Sequence, residues 1–355
     1  MTEAICIDGS LGEGGGQIVR SSLTLSLVTG QPVFIENIRA GRAKPGLMRQ
    51  HLTAVQAAAR IGNAEVTGAE VGSRSIRFSP QRITPGNYHF SIGTAGSTTL
   101  VLQTILPALM IADGPSTVTL EGGTHNQWAP PFDFLQHAYL PLINRMGPRV
   151  SVELERYGFY PAGGGRLTVS IQPSGSLNGF DLMERGELKK RSAMGLVSNL
   201  PRHIAERETQ TILKKMNWPA DSAQVLEVTA HGPGNIVYTM LEYEQVTEVT
   251  TGFGRIGSSA ENVASEVIRD TRNYLKNEAP VGEHLADQLL LPLAISAWQS
   301  GTHRRGGSFR TSPLTRHSTT HMEVIRRMMG IEIDVSRDER TQQTTVILRP
   351  KSSED

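Results

Sequence analysis

The chain has 355 residues, which is enough for two domains and a sizeable hydrophobic core. Lys and Arg (35) nearly balance Asp and Glu (34), so the net charge of +1 excludes a uniformly basic nucleic-acid coat protein, and any basic surface must be local. The single cysteine, Cys6, excludes an internal disulfide and any zinc or iron–sulfur site built from several thiolates.

The N-terminal residues MTEAICIDGS contain acids and no long apolar region, so a secretory signal is not expected. The longest apolar runs, LVLQTILPALMIA and LLLPLAISAW, are interrupted by Pro or Gln and are too short to span a bilayer. We therefore expect a cytoplasmic protein that has no membrane partner.

The first predicted elements are a short strand at 4–8, a loop that begins GSLGEGGG, and a helix that begins near Gln17. A glycine-rich turn between a strand and a helix exposes backbone N–H groups that can bind an anion. The dinucleotide fingerprint is absent because Gln17 occupies its sixth position, and there is no Walker lysine. Glu13 could hold Mg²⁺ and Arg20 could reach a phosphate, which favours a phosphate site; a tight turn without a ligand is the alternative.

The next segment, IRAGRAKPGLMRQH, is rich in basic residues: Arg39, Arg42, Lys44, Arg49 and His51. Pro and Gly in its middle predict a loop that then enters a helix. Such a run is typical of a solvated surface, but arginines beside a glycine corner also suit bidentate phosphate contacts. Both interpretations stay open from the residues alone.

The chain repeats one pattern: a glycine-led apolar helix, a strand, a second helix that stops at a glycine, and a further strand. The stop glycines of the first two copies, Gly62 and Gly147, are about 85 residues apart. A third copy stops at Gly330, so roughly 100 extra residues separate it from the second copy. An inserted segment accounts for that surplus.

The surplus lies between Arg185 and Pro280, where two stretches have helical periodicity (HIAERETQTILKKM and SAENVASEVIRDTRNYLK) and three are typical of strands (AMGLVSNL, AQVLEVTA and NIVYTMLEY). We predict an α/β (α+β) protein with three repeated βα units in one large domain, 1–184 and 281–350. A small α/β domain, 185–280, is inserted into it, and 351–355 form a disordered tail.

Glycine-rich corners recur at EGGTHNQWAPP and FYPAGGGR. In the first corner, His125 and Trp128 are candidates for hydrogen bonding or stacking, although we expect Trp128 to pack rather than to stack on a base. His317 follows a proline and precedes a predicted helix, where neutral imidazole could act as a nucleophile at pH 7. The alternative is an ordinary polar residue at the start of a helix.

Taken together, DGSLGEGGGQIVR, IRAGRAKPGLMRQHLTAVQAAA, GSTTLVLQTILPAL, GGTHNQWAPPFDF, GFYPAGGG and VGEHLADQLLLP resemble the RNA 3′-terminal phosphate cyclase family. The resemblance covers nearly the whole chain. It implies three βα repeats and an inserted α/β domain. It also implies that a histidine takes AMP from ATP and passes it to an RNA 3′-phosphate, which the neighbouring 2′-hydroxyl then closes into a 2′,3′-cyclic phosphate with release of AMP.

By the position of the motifs, the resemblance implies that His317 is the nucleophile and that Glu13 holds the divalent metal, Mg²⁺ or Mn²⁺, on the ATP phosphates. The remaining cofactor-binding residues that it implies are Gln17, Arg20, Arg42, Gln50, His51, Gln103, His284 and Asp287. Arg39 and Lys44 are weaker additions to this cofactor-binding set. This chain has His284 where the family has Tyr, His321 where it has Asn, and His125 where it has an acid.

Two other functions remain as alternatives. One is a non-catalytic RNA-binding or ribosome-assembly paralogue on the same scaffold, which would lack the nucleophile. The other is an enolpyruvyl transferase, which shares the repeat architecture. The expected partners are ATP and RNA 3′-phosphate ends, and a homodimer is expected only as the commonest oligomer.

Overall fold

The computed structural model describes residues 3–299 and 304–351. Helices and strands alternate along the chain, which confirms the mixed α/β class. Residues 352–355 of the predicted disordered tail lie outside the described residues. Within the described part of the chain, no helix combines the length and the apolar character needed to cross a bilayer.

The first sheet has the strand order β1-β2-β4-β3 and carries two helices. Its elements are β1 (Ile5–Asp8), α1 (Gly16–Thr29), β2 (Val33–Glu36), α2 (Arg49–Ile61), β3 (Glu65–Thr67) and β4 (Ile76–Ser79). Strands β1 and β2 are parallel because α1 carries the chain back between them. Helix α1 is buried on all sides, from Gln17 to Val28, because other helices surround it.

The second sheet has the order β5-β6-β8-β7. Its elements are β5 (Asn87–Ser91), α3 (Thr98–Met110), β6 (Ser116–Gly122), α4 (Phe132–Phe134), α5 (Leu140–Asn144), β7 (Arg149–Arg156) and β8 (Gly165–Gln172). One π-helical turn, Leu135–Tyr139, joins α4 to α5, so the predicted second helix of this unit is continuous but irregular.

After β9 (Asp181–Leu182) the chain enters a separate sheet with the order β11-β10-β12-β13. Its elements are β10 (Leu188–Ser198), α6 (His203–Met216), a 3₁₀ turn (Ala220–Ser222), β11 (Ala223–Glu227), β12 (Gly234–Tyr243), β13 (Thr247–Phe253) and α7 (Ala260–Asn277). The predicted helix HIAERETQTILKKM coincides with α6, whereas β13 was not predicted. A small core of its own, which includes Ile212, Val237 and Val267, lies between this sheet and its two helices.

The remaining sheet combines β9 with strands from the end of the chain, in the order β15-β16-β14-β9. Its other elements are α8 (Glu283–Trp298), β14 (Gly307–Thr311), α9 (Arg316–Met329), β15 (Glu332–Arg337) and β16 (Thr344–Arg349). Helix α9 begins at Arg316, so His317 lies in its first turn rather than ahead of the helix.

Among the described residues, three of the four sheets share one connectivity, strand–helix–strand–helix–strand–strand. The first two strands are parallel, and the fourth strand is antiparallel to the second. In the last of these, the segment between β9 and α8 holds the separate α6–α7 sheet. The origin of the three units as copies, and the bounds 1–184, 281–350 and 185–280, stay predictions.

A buried polar contact joins the second sheet to the α6–α7 sheet. The hydroxyl of Tyr238, on β12, donates a 2.9 Å hydrogen bond to Asp133 Oδ1, and His125 Nε2 lies 2.9 Å from Asp133 Oδ2. Burial alone would raise the pKa of Asp133, but the hydrogen bonds from His125 and Tyr238 hold it below the ordinary value. Asp133 is therefore an ionised group at the junction.

We expect Tyr238→Phe to lower the free energy of unfolding by about 1.5–3 kcal/mol, because a buried carboxylate loses one hydrogen bond. Equilibrium unfolding in urea measures this change. Tyr160→Phe, at a residue that is 76% exposed, is the control and should leave the midpoint unchanged. Equal midpoints for both variants would contradict the role of this junction.

Candidate active site

The glycine-rich loop between β1 and α1 packs against the first turns of α9. Gly12 has a φ of 51°, and a Cβ atom there would lie 1.9 Å from Thr320 Oγ1. The backbone N–H of Glu13 donates a 3.2 Å hydrogen bond to the same hydroxyl. Only glycine permits both this conformation and this contact. The loop at the start of the chain and the helix that carries His317 therefore lie side by side.

A buried carboxylate, Asp287 on α8, connects three helices at this point. Its Oδ1 atom accepts a hydrogen bond from Gln17 Nε2 of α1 at 2.9 Å and lies 2.8 Å from His317 Nδ1 of α9. Burial alone would raise the pKa of Asp287, but the hydrogen bond from His317 and the nearby His321 hold it well below the ordinary value. Asp287 is therefore ionised at neutral pH.

The tautomer of a neutral His317 ring follows from this contact. An ionised carboxylate can only accept, so Nδ1 of His317 must carry the proton that it shares with Asp287. Nε2 is then the nitrogen with the free lone pair. Because the side chain is 36% exposed, a ligand can approach this ring.

His51, at the start of α2, packs over the first residue of α1. A Cβ atom on Gly16 would lie 2.2 Å from His51 Nε2. Burial, and then the positive charges of Arg20 and Arg39, lower the pKa of His51 to about 3, so its ring is neutral at pH 7. Its Nδ1 accepts from the N–H of Met48 at 3.2 Å, which leaves Nε2 protonated as a donor beside the N-terminus of α1.

Arg20, one turn into α1, is almost fully buried and keeps its charge. Burial lowers its pKa, to about 10, against the opposing effect of Asp287 and Glu13. Its Nε donates to Gln103 Oε1 at 3.3 Å, and Gln103 Nε2 donates to Gln288 Oε1 at 2.6 Å. Gln288 was not predicted from the sequence, in which its place directly after Asp287 is the only signal for it.

His321 lies one helical turn beyond His317, and its Nδ1 is 3.5 Å from Asp287 Oδ1. This buried ring makes no hydrogen bond among the described residues. It lines a small cavity together with Arg20, Gln103 and Gln288. The spacing of four residues between the two histidines is the sequence signal for this shared face of α9.

The basic segment contributes two arginines with different surroundings. Arg42 forms an ion pair with Glu13 Oε1, and both side chains are partly exposed. Arg39 has a φ of 54° and donates to the carbonyl oxygens of Lys44 and Gly46, at 2.7 and 2.8 Å. Arg42 is thus next to the glycine loop, whereas Arg39 braces its own loop.

Two other predicted site residues, Gln50 and His284, have hydrogen-bond or ion-pair partners outside the group around Asp287. Gln50 Oε1 accepts from the backbone N–H of Ser97 at 2.6 Å, so it joins the start of α2 to the start of α3. The His284 side chain is 79% exposed in the first turn of α8, and its Nε2 lies 3.8 Å from Glu283 Oε1. Among the described residues, no group of three or more His, Cys, Asp or Glu side chains could hold a metal ion, so a divalent ion at Glu13 stays a prediction.

His125 and Trp128, the two candidates in the glycine-rich corner EGGTHNQWAPP, have opposite environments. His125 is buried between Thr124 and Asp133 and packs against the rings of Tyr157 and Phe159. Trp128 is 90% exposed, so the expectation that it packs is wrong.

Comparisons with known proteins agree on one family. A family model described as RNA 3′-terminal phosphate cyclase matches residues 11–335. The proteins of that name from Koribacter versatilis and Salmonella agona are 49% and 45% identical to this chain, over 349 and 354 residues. These alignments cover 98% and 99% of this chain, and 96% and 99% of the relatives. The namesake from Ectopseudomonas mendocina is 46% identical over 328 residues, which cover 92% of this chain and 93% of that protein.

We expect Gly16→Ala to destabilise the protein by about 1–3 kcal/mol, because the added methyl group overlaps His51. Helix propensity alone predicts the opposite sign, since Gly16 begins α1. Urea unfolding measures the effect, and the double variant Gly16→Ala, His51→Ala should be less destabilised than the sum of the two single variants. Gly41→Ala, where the nearest atom is 3.8 Å away, is the control. Additive effects at 16 and 51 would contradict the contact.

Proposed function

The chain belongs to the RNA 3′-terminal phosphate cyclase family, and from this premise we propose that it uses ATP to convert an RNA 3′-terminal phosphate into a 2′,3′-cyclic phosphate. We further propose that His317 carries AMP as a covalent intermediate. The observation that carries this second proposal is the hydrogen bond between His317 Nδ1 and the buried, ionised Asp287.

In the first proposed step, His317 Nε2 attacks the α-phosphorus of ATP. An N–P bond forms, the P–O bond to the β-phosphate breaks, and pyrophosphate leaves with the electron pair. The ring becomes positively charged as it reacts, and the carboxylate of Asp287, held 2.8 Å from Nδ1, stabilises that charge. Asp287 also keeps the proton on Nδ1, so that Nε2 stays the nucleophile.

We assign the phosphates of ATP to the glycine loop. Backbone N–H groups at the start of α1, the protonated Nε2 of His51 and the side chains of Arg20 and Arg42 supply donors and positive charge in this region. Glu13 is the carboxylate that would help hold Mg²⁺ or Mn²⁺, which would neutralise charge on the phosphates. One carboxylate is enough where the substrate supplies the other oxygen ligands, although Arg42 competes for it.

In the second step an oxygen of the RNA 3′-phosphate attacks the phosphorus of the histidine-bound AMP, and the N–P bond breaks. In the third step the neighbouring 2′-oxygen loses its proton and attacks the 3′-phosphorus, and AMP leaves. Adenylylation is needed because a phosphate oxygen leaves poorly until it is part of an anhydride. The covalent intermediate divides one difficult reaction into easier steps.

The two alternatives fit the site less well. In a non-catalytic RNA-binding paralogue, nothing would require an accessible histidine whose Nδ1 is hydrogen-bonded to a buried carboxylate. An enolpyruvyl transferase would belong to another family. The cytoplasmic location and the homodimer stay predictions, and the single chain gives no support for the homodimer.

We expect His317→Ala to abolish formation of a covalent AMP adduct with ATP and a divalent cation, because the His317 ring combines a hydrogen bond to Asp287 with an accessible position, whereas His321 beside it is buried. Intact-protein mass spectrometry measures the added mass, and peptide mapping identifies the modified residue. His203→Ala removes an exposed histidine from α6 and should leave the adduct unchanged. A full adduct on His317→Ala would disprove the assignment.

We expect Arg42→Ala to raise the ATP concentration for half-maximal adduct formation by roughly 10- to 150-fold, since a charge-assisted hydrogen bond is worth about 1.5–3 kcal/mol. Arg42→Lys keeps the charge without the planar fork and should give an intermediate value. A titration of ATP against the initial rate of labelling distinguishes these outcomes. An unchanged ATP dependence in both variants would remove Arg42 from the phosphate site.

A further inference from the structure

Trp128 has an unusual position for the largest apolar side chain. Its side chain is 90% exposed, although tryptophan is normally well buried. Its φ is 68°, in the left-handed region that bulky residues rarely adopt. Neither core packing nor backbone preference accounts for an indole held in solvent at this place.

The loop that carries Trp128 is fixed on both sides of the residue. Before it, the side-chain amide of Asn126 donates to the carbonyl oxygen of Ala95, and after it, Thr99 Oγ1 donates to the carbonyl oxygen of Pro130 at 2.7 Å. The ring is therefore presented by an anchored loop. A preorganised aromatic surface loses little entropy when a flat ligand stacks on it.

This loop borders the candidate active site. Pro130, two residues after Trp128, lines a cavity with Gln103 and Gln288. Gln288 is adjacent to Asp287, the hydrogen-bond partner of His317. Trp128 thus lies at the rim of the site and outside the group of side chains that surrounds His317.

The Trp128 loop is linked through one short segment to the start of α2, which follows the basic residues. Residues 94–97 connect the two, because Ala95 accepts from Asn126 while Ser97 donates to Gln50. The segment directly before Gln50 carries two exposed cations, Lys44 and Arg49, in addition to Arg42, which is paired with Glu13. Proteins bind single-stranded nucleic acid by combining positive charge with exposed aromatic rings, and both features are present on these linked segments.

A second exposed aromatic residue lies on an adjoining loop. Tyr160 is 76% exposed, and its loop runs from β7 to β8 beside the Trp128 loop. The N–H groups of Thr124 and His125 both donate to the carbonyl oxygen of Gly158, at 2.9 and 3.1 Å. The two loops therefore form one rim at the same end of the second sheet.

We propose that Trp128 stacks on an unpaired base near the 3′ end of the RNA, while the basic segment contacts its backbone. This inference builds on the proposed function and adds how the RNA is held. Stacking uses the face that all bases share, so Trp128 would set affinity for single-stranded ends without selecting a sequence. Duplex ends with no unpaired base would be poorer substrates.

The first test compares Trp128→Ala with Trp128→Phe in two assays, adduct formation with ATP alone and cyclisation of a six-nucleotide RNA with a 3′-phosphate. We expect Trp128→Ala to raise the KM for RNA by roughly 5- to 150-fold, the usual range for loss of one stacking contact. Trp128→Phe should restore most of that loss. A KM for RNA of Trp128→Ala that stays within twofold of the unaltered protein would overturn the proposal. A changed ATP dependence of adduct formation in Trp128→Ala would also overturn it, because Trp128 would then contact the nucleotide.

The second test uses RNAs with one abasic nucleotide placed in turn at each of the last four positions. At one position, removing the base should weaken binding to the unaltered protein but not to Trp128→Ala, so that the two losses are not additive. Equal losses in both proteins at every position would overturn the proposal.

The third test separates this proposal from the proposed function, because it needs no turnover. Binding of the 3′-phosphate RNA should quench tryptophan fluorescence of the unaltered protein and of the control Trp298→Phe, which lacks a different, partly exposed indole. Trp128→Phe should show no such quenching. If adduct formation and cyclisation both fail in the unaltered protein, the proposed function is wrong. The fluorescence titration still decides whether RNA stacks on Trp128. Quenching that is retained in Trp128→Phe would refute the stacking proposal.

Discussion

The oxygen Oδ1 of Asp287 is the point on which the candidate active site depends. A buried carboxylate without partners would be costly, so α1, α8 and α9 are held where Gln17 and His317 reach this one atom. The same contact that joins the helices also sets the tautomer of His317. One ionised group therefore both joins the helices and orients the ring of the candidate nucleophile.

The bare glycine loop is a second constraint, and it acts through the absence of side chains. Gly12 allows the loop to touch Thr320 of α9, and Gly16 allows His51 to cover the start of α1. Each contact brings a group from another element to the N-terminus of α1, where backbone N–H groups are unpaired. The glycine loop and the start of α1 thus pack against residues of α2 and α9, which are far apart in the sequence.

Two buried aspartates in the described part of the chain, Asp133 and Asp287, pair with histidines in different surroundings. His125 and Asp133 are sealed among aromatic rings and the hydroxyl of Tyr238, and they join two sheets. In the other pair, Asp287 is equally buried, but the ring of His317 is accessible from outside. Exposure of the histidine, rather than the pairing itself, distinguishes a structural contact from a site suited to chemistry.

The sequence by itself determined the features that depend on neighbouring residues. Hydrophobic periodicity and stop glycines predicted the mixed α/β class and helices such as α6, because these signals act within a few turns of chain. Unusual motifs identified the family and singled out His317 and Asp287. Only the tertiary structure decided which atoms meet: that His317 shares its proton with Asp287, that Arg39 binds its own loop, that Gln288 joins the site, and that Trp128 is exposed. The partners in these contacts are as far as 185 residues apart, as for Gln103 and Gln288, and local patterns do not encode contacts at that separation.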